Sequence, residues 1–171
     1  MIRIGTLFSG IGSPEQALKR LGVKYKIVFA CDNGDREIDY NADEELKKIK
    51  RMKSKIEKKE YVDFLYNTKC KKHNFVEDSY MANYDIKRED FHQDVRLLDG
   101  LDYRNEIDLL VGGSPCQSFS TVGFQGGLDD IRGTLFYDYA RIVKESNPKV
   151  FIYENVRGLT THDKGNTWNV M

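Results

Sequence analysis

The sequence predicts an α/β fold, a doubly wound and mostly parallel sheet, and three observations carry that prediction. Short apolar strands alternate with helical segments along the chain. A glycine turn, Ser9-Gly10-Ile11-Gly12-Ser13, directly follows the first strand. Chemically distinctive residues then recur at predicted strand ends: Phe8-Ser9-Gly10, Asp32, Asp94, Cys116 and Glu154. Sheets of this kind bind ligands outside the carboxyl ends of their strands. These residues therefore mark one candidate rim.

The elements follow in order. Ile2 to Phe8 reads as a strand. After the glycine turn, Pro14 suits the first turn of a helix, with Ala17, Leu18 and Leu21 as its apolar stripe and Gly22 as its stop. Tyr25 to Cys31 is a second strand, ending at Asp32. Asp43 to about Asn74 is lysine-rich, with Leu46, Ile49, Met52 and Ile56 at helical spacing. It predicts one long, basic, amphipathic helix and then a variable excursion, a solvated insertion spanning about 43–83. Asp85 to Asp94 reads as a short strand, and Ile107 to Val111 as the next. Gly133 to Ser146 predicts a helix presenting Leu135, Phe136, Tyr139, Ile142 and Val143. Asn147-Pro148 breaks it before a strand at Val150 to Tyr153.

Composition narrows the class. The 171 residues are 40% apolar and 32% charged with zero formal net charge, which suits about one globular domain. Overall charge does not announce a nucleic-acid binder, so any such contact must use local patches. No stretch approaches the roughly 20 apolar residues that span a bilayer. Met1-Ile2-Arg3-Ile4-Gly5 leads straight into the first strand, so no leader is expected. Cys31, Cys70 and Cys116 are odd in number and widely spaced, which suits a reducing cytoplasm. Cys70 and His73 have zinc-like spacing without a second pair, and read as unconnected surface residues.

Two stretches carry chemistry. Gly10-Ile11-Gly12 permits a tight turn and close backbone approach, and Asp32 lies about 20 positions on, where an acid accepts ribose hydroxyls. Asp94 can receive an adenine amino group or cap a helix before Val95. Glu15 occupies the place of a third glycine, a poor companion for pyrophosphate. The site is therefore expected to take an adenosine-bearing ligand without phosphates. The second stretch, Gly112-Gly113-Ser114-Pro115-Cys116-Gln117-Ser118-Phe119-Ser120, delivers a cysteine from a strand end into a Gly/Ser/Pro loop. Free backbone amides there can stabilise a nucleophilic thiolate, although a structural cysteine in a tight turn has the same local sequence.

Together these residues resemble the cytosine carbon-5 DNA methyltransferases. Thr6-Leu7-Phe8-Ser9-Gly10-Ile11-Gly12 is similar to the family's first cofactor motif, with Thr6 in place of the usual aspartate and Ser13 in place of a common glycine. Gly113 to Ser120 resembles the catalytic Pro-Cys-Gln loop. Arg132-Gly133-Thr134-Leu135-Phe136 resembles the following helix start, and Glu154-Asn155-Val156 the Glu-Asn-Val motif. The resemblance implies a Rossmann-like methyltransferase sheet and S-adenosylmethionine as cofactor. It implies cofactor contacts from Phe8, Gly10, Ile11, Gly12, Asp32, Asp94, Pro115 and Leu135.

The implied reaction methylates carbon 5 of a cytosine in double-stranded DNA. Cys116 attacks carbon 6, Glu154 engages ring nitrogen 3 and the exocyclic amine, and Gln117 assists on the catalytic loop. The target base must flip out of the duplex. Ser118, Ser120 and Asn155 are implied to meet the flipped nucleotide or its backbone. The base that removes the carbon-5 proton is not identified, and water can serve.

The family pattern continues past Glu-Asn-Val with a Gln-x-Arg-x-Arg motif, a target recognition domain and a terminal Asn-rich motif, none of which is present here. The sheet is therefore expected to be incomplete on its carboxyl-terminal side, leaving Val150 to Tyr153 as an exposed apolar edge. One polypeptide of a split enzyme, completed by a carboxyl-terminal partner, and a truncated remnant both fit. A non-enzymatic module that binds an adenosine ligand or a partner is the alternative from another class. A nicotinamide oxidoreductase explains neither Pro115-Cys116-Gln117 nor Glu154-Asn155-Val156.

Overall fold

The computed structural model describes residues 1–115 and 131–171. Its sheet contains β1 (Ile2–Leu7), β2 (Tyr25–Cys31), β3 (Phe91–His92), β4 (Leu109–Gly112) and β5 (Val150–Tyr153). Among the described residues the strands run in the order β3-β2-β1-β4-β5, and every pairing is parallel. The helices are α1 (Ser13–Arg20), α2 (Ala42–Ile49), α3 (Lys55–Lys69), α4 (Phe75–Asn83), α5 (Ile131–Ser146), α6 (Gly158–Thr161) and α7 (Asn166–Val170). Short 3₁₀ turns at Val95–Leu97 and Gly100–Tyr103 connect β3 toward β4. No helix among the described residues is long and apolar enough to cross a membrane.

Two apolar clusters make the sheet doubly wound. On one face Leu7, Phe29 and Leu110 meet Tyr139 and Ile142 of α5. On the other, Ile4, Ile27 and Ala30 pack with Tyr80 of α4, Phe91 and Leu18 of α1. A register shift between Ile4 and Gly5 accommodates the extra residue of β2. Strand register then aligns the carboxyl ends. His92 pairs with Cys31, Cys31 with Leu7, Leu7 with Gly112 and Gly112 with Tyr153. The residues after the strand ends, Phe8, Asp32, Gln93, Gly113 and Glu154, thus lie along one rim.

The strands Tyr25–Cys31 and Val150–Tyr153 match expectation to the residue. Others shift. The predicted strand Asp85 to Asp94 contracts to Phe91–His92, because Arg88–Asp90 forms a 3₁₀ turn. The predicted α1 stripe is also wrong. Leu18 packs, but Leu21 is 75% exposed, and the buried residue of this helix is Glu15.

The single long helix expected from Asp43 onward is corrected to α2, α3 and α4. Each start is fixed by a side-chain cap. Asn41 accepts from the Glu44 amide, Ser54 from Glu57 and Asn74 from Glu77. Such caps satisfy amides that have no intrahelical acceptor, so they divide the segment cleanly. Nor is the segment merely solvated. Ile49, Val62, Leu65 and Tyr66 form a subsidiary core with Leu97. Its lysines face acids elsewhere in the chain. Lys58 bridges Asp99 and Asp102 at 2.7 Å each, Lys50 meets Glu145 at 2.5 Å and Lys55 meets Glu106 at 3.4 Å.

The edge strand has the expected exposure. Val150, Phe151 and Ile152 are 55%, 57% and 50% exposed, so neither side of β5 is fully covered. Cys70 is half-buried at the end of α3, and His73 pairs with Asp78 at 2.6 Å. No metal-holding cluster occurs among the described residues.

Candidate active site

The rim begins where β1 ends. Phe8 turns the chain with φ 54°, a left-handed value that costs a non-glycine residue about 1–2 kcal/mol. Gly10 and Gly12 continue in that region at φ 50° and 87°. Here glycine is needed, since three such residues in five would strain side chains heavily. The turn is closed by Gly12 N donating to Ser9 O at 3.0 Å, and anchored by Ser9 N donating to Cys31 O at 3.0 Å. A Cβ placed on Gly10 would meet no described residue within 4 Å. Ile11 is exposed beside it.

Asp32 ties this turn to the end of β2. One carboxylate oxygen accepts from Gly10 N at 2.9 Å and the other from Gly34 N at 2.8 Å. A carboxylate offers about four acceptor sites, so two internal bonds leave capacity for ribose hydroxyls. Asp32 is half-buried, which keeps that capacity accessible. The donor set therefore fits an adenosine-type ligand.

Glu15 stands behind the turn with no exposed surface. One of its oxygens accepts from Thr6 and, at 2.7 Å, from Tyr80, while the other has no partner among the described residues. The acid that the resemblance expects at Thr6 is thus offered by Glu15 to Thr6 instead. A carboxylate in the first turn of α1 already occupies the place where a helix would greet a phosphate. This agrees with a ligand lacking phosphates.

Asp94 follows β3 and corrects an expectation. Its side chain is only 4% exposed. It accepts from Arg96 N at 3.0 Å, Arg96 Nε at 3.1 Å and Arg96 Nη2 at 2.9 Å, from Tyr66 at 2.7 Å, and from Tyr40. Five donors exhaust a carboxylate, so none of its capacity is left for an adenine amino group. The cap alternative describes it, since Asp94 accepts from the Arg96 amide at the start of the Val95–Leu97 turn. Burial and the adjacent Asp94 charge push the Tyr40 and Tyr66 hydroxyls well up from their ordinary range, fixing them as donors.

The other half of the rim lies beyond β4 and β5. Glu154 N donates to Gly112 O at 2.9 Å, continuing the ladder past Tyr153. A Cβ on Gly113 would come within 2.5 Å of the Glu154 carbonyl oxygen and 2.8 Å of its carboxylate. Glycine at 113 is therefore what lets Glu154 lie against the loop that precedes Cys116. Ser114 shares a 2.6 Å hydrogen bond with the Tyr153 hydroxyl. Asn155 donates to that hydroxyl at 3.0 Å and to Ser114 O at 3.3 Å. Asn155 thus serves the loop, a role that the sequence did not indicate. Pro115 is exposed, and Leu135 packs half-buried beside the Tyr139 cluster. Cys116, Gln117, Ser118 and Ser120 lie outside the described residues.

Cys31 offers a contrast in cysteine chemistry. Burial, with Asp94 and Asp32 nearby, pushes its thiol well above the ordinary value. Such a thiol is a core residue rather than a nucleophile.

The structure is a doubly wound parallel sheet with the Gly10–Asp32 turn on one side of its switch point and Glu154 beside Gly113 on the other. Residues 64–171, more than half of the chain, match the C-5 cytosine-specific DNA methylase family. The orphan methyltransferase M.SPRI of Bacillus phage SPR is 38% identical over 170 residues, covering 99% of this chain and 30% of that protein. Type II methyltransferase M.Eco47II of Escherichia coli is 55% identical over 74 residues, 43% of this chain and 18% of its own length. The crystal structure of S. pombe Dnmt2 methyltransferase superposes with a TM-score of 0.54 at 20% identity, covering 99% of this chain and 41% of that one, and supports the fold. The chain belongs to the C-5 cytosine-specific DNA methylase family. It spans about 30% of the length of M.SPRI.

Proposed function

We propose that this chain supplies the cofactor site and the catalytic loop of a DNA cytosine carbon-5 methyltransferase. The observation that carries the reading is the junction of β4 and β5. There Gly113, Ser114, Glu154 and Asn155 are held together one strand away from the Gly10–Asp32 cradle.

S-adenosylmethionine, when bound, supplies an electrophilic methyl group on its sulfonium sulfur. Asp32 would accept the ribose hydroxyls, Phe8, Gly10, Ile11 and Gly12 would form the floor, and Pro115 and Leu135 would close the side toward the catalytic loop. The remaining chemistry belongs to the chain and the DNA. Cys116 adds as thiolate to carbon 6 of a flipped cytosine, and the displaced electron pair makes carbon 5 nucleophilic. Glu154, exposed and without a hydrogen-bond donor among the described residues, is free to engage nitrogen 3 and the exocyclic amine. After carbon 5 is methylated, loss of its proton to a base expels the Cys116 thiolate and restores the ring. Gln117, Ser118 and Ser120 would contact the nucleotide, and Asn155 would hold their loop.

The full reaction is proposed for an assembly in which this chain supplies the cofactor site and the catalytic loop. Transfer of labelled methyl to duplex DNA tests this reading. The 171-residue chain alone is expected to be weak, and addition of the polypeptide bearing the recognition domain is expected to yield 5-methylcytosine. Robust transfer by the chain alone would refute the division of labour. Methyl found on adenine or on an exocyclic amine would refute the carbon-5 reading.

A further inference from the structure

The segment between β2 and β3 reaches the rim behind all three cofactor-side strand ends. Behind the glycine turn, Tyr84 donates to the Gly12 carbonyl at 2.7 Å, and its ring fills the space that a Gly12 side chain would need. Tyr80, packed against Tyr84 in a tilted pair with centroids 4.7 Å apart, donates to Glu15 at 2.7 Å. Behind the ribose loop, Asn74 donates to the Asp32 carbonyl at 3.1 Å and to Gln93 at 2.9 Å, and packs on Gly34. Gln93 also accepts from Arg36 and donates to Glu77 at 2.6 Å. Behind β3, Tyr66 and Tyr40 donate to Asp94. Tyr66, Tyr80, Asn74 and Gln93 are all buried.

We propose that residues 40–84 form a brace that positions the cofactor cradle, so that ligand affinity depends on these buried polar contacts as well as on residues that touch the ligand. The inference rests on reading the rim as an S-adenosylmethionine site. Loops at strand ends have irregular backbone, and their buried carbonyls and carboxylates need partners. Here Tyr84, Asn74, Tyr80, Tyr66 and Tyr40 of one segment supply partners to Gly12, Asp32, Glu15 and Asp94, which form or directly follow the turns at the ends of β1, β2 and β3. A cradle held in its binding shape before the ligand arrives loses less free energy on binding. The lysine bridges of α2 and α3 to Asp99, Asp102 and Glu145 fasten the outer side of the same segment. Coupling of this kind is reciprocal, so a bound ligand must in turn tighten the brace.

The test is calorimetric binding of S-adenosylhomocysteine to the full chain, with thermal unfolding and amide exchange of residues 75–83 measured alongside. Tyr84→Phe keeps the ring and removes the hydroxyl. It is expected to weaken binding about 5- to 10-fold while moving Tm by no more than about 4 °C. Asn74→Ala provides a second variant, with a similar loss expected. In the wild type, ligand is expected to slow exchange across α4. A segment that serves stability alone would lower Tm, leave the affinity unchanged and show no ligand-dependent protection of α4. Asp32→Ala separates the two readings. If it abolishes binding while Tyr84→Phe and Asn74→Ala bind normally, the brace is overturned and the cradle stands. If the wild type takes up no ligand, both fall.

Discussion

The two halves of the rim are built differently. On the cofactor side, carboxylates are engaged inside the fold: Asp94 by five donors, Glu15 by Thr6 and Tyr80, and Asp32 by two loop amides. On the catalytic side, Glu154 is exposed and accepts from no described residue, and β5 beside it presents Val150, Phe151 and Ile152 to solvent. The first half has its carboxylates satisfied from within the fold. The second presents an exposed acid beside an exposed apolar strand. Exposed apolar edges of this sort invite association.

Substitutions can break the two halves separately. The largest effect is expected for Gly113→Ala, whose Cβ must displace Glu154. Misplacement of about 1 Å can cost 100-fold in rate, so methyl transfer by the active assembly should fall at least about 100-fold. S-adenosylhomocysteine affinity should stay within about twofold. Loss of both together would mean that the halves are not independent. Next is Asp32→Asn, which keeps the shape but weakens acceptance from Gly10, Gly34 and ribose. Calorimetry should report about 10-fold weaker binding. Unchanged binding would remove Asp32 from the cradle.

Smaller effects sharpen the contrast. Tyr153→Phe removes the hydroxyl shared by Ser114 and Asn155, and should cost about 1 kcal/mol in denaturant unfolding. No change would show that the catalytic loop is held elsewhere. A pH-dependent effect concerns His92, half-buried under the cofactor half between Phe29 and Tyr103. Burial first, then the charges of Lys59 and Lys55, lower its pKa to about 3 from the ordinary 6.5. The unfolded chain therefore takes up a proton that the folded chain refuses. This contribution is fully present above pH 6.5 and is lost as pH falls toward 3. Its slope is at most about 1.4 kcal/mol per pH unit. Between pH 6.5 and 5, Tm should fall less steeply for His92→Gln than for the wild type, and parallel slopes would contradict the assignment.

Much of the fold was legible because its signals are local. The apolar runs Tyr25–Cys31 and Val150–Tyr153 are bounded by turn residues, so their ends could be placed to the residue. The three caps at Asn41, Ser54 and Asn74, each followed by glutamate three positions later, were present in the sequence but not read from it. Lysine content and a helical apolar period hid them by suggesting continuity. The brace was not legible. Helical spacing says that Tyr66 and Tyr80 have a buried side, but not that Asp94 and Glu15 wait there, 28 and 65 positions away. Asp32 was found through its distance from the glycine turn, whereas its amide partners come from tertiary geometry. Asp94 shows the limit most clearly, since capping and ligand contact begin from the same residue type at the same strand end.

The central claim is that this family rim performs carbon-5 chemistry through Cys116. Trapping on duplex DNA carrying 5-fluorocytosine at the target, in the active assembly with S-adenosylmethionine, tests it most directly, because fluorine at carbon 5 blocks the final elimination. A covalent adduct that maps to Cys116 and disappears in Cys116→Ala is the predicted result. An adduct that survives Cys116→Ala, or that maps to another residue, would contradict the account.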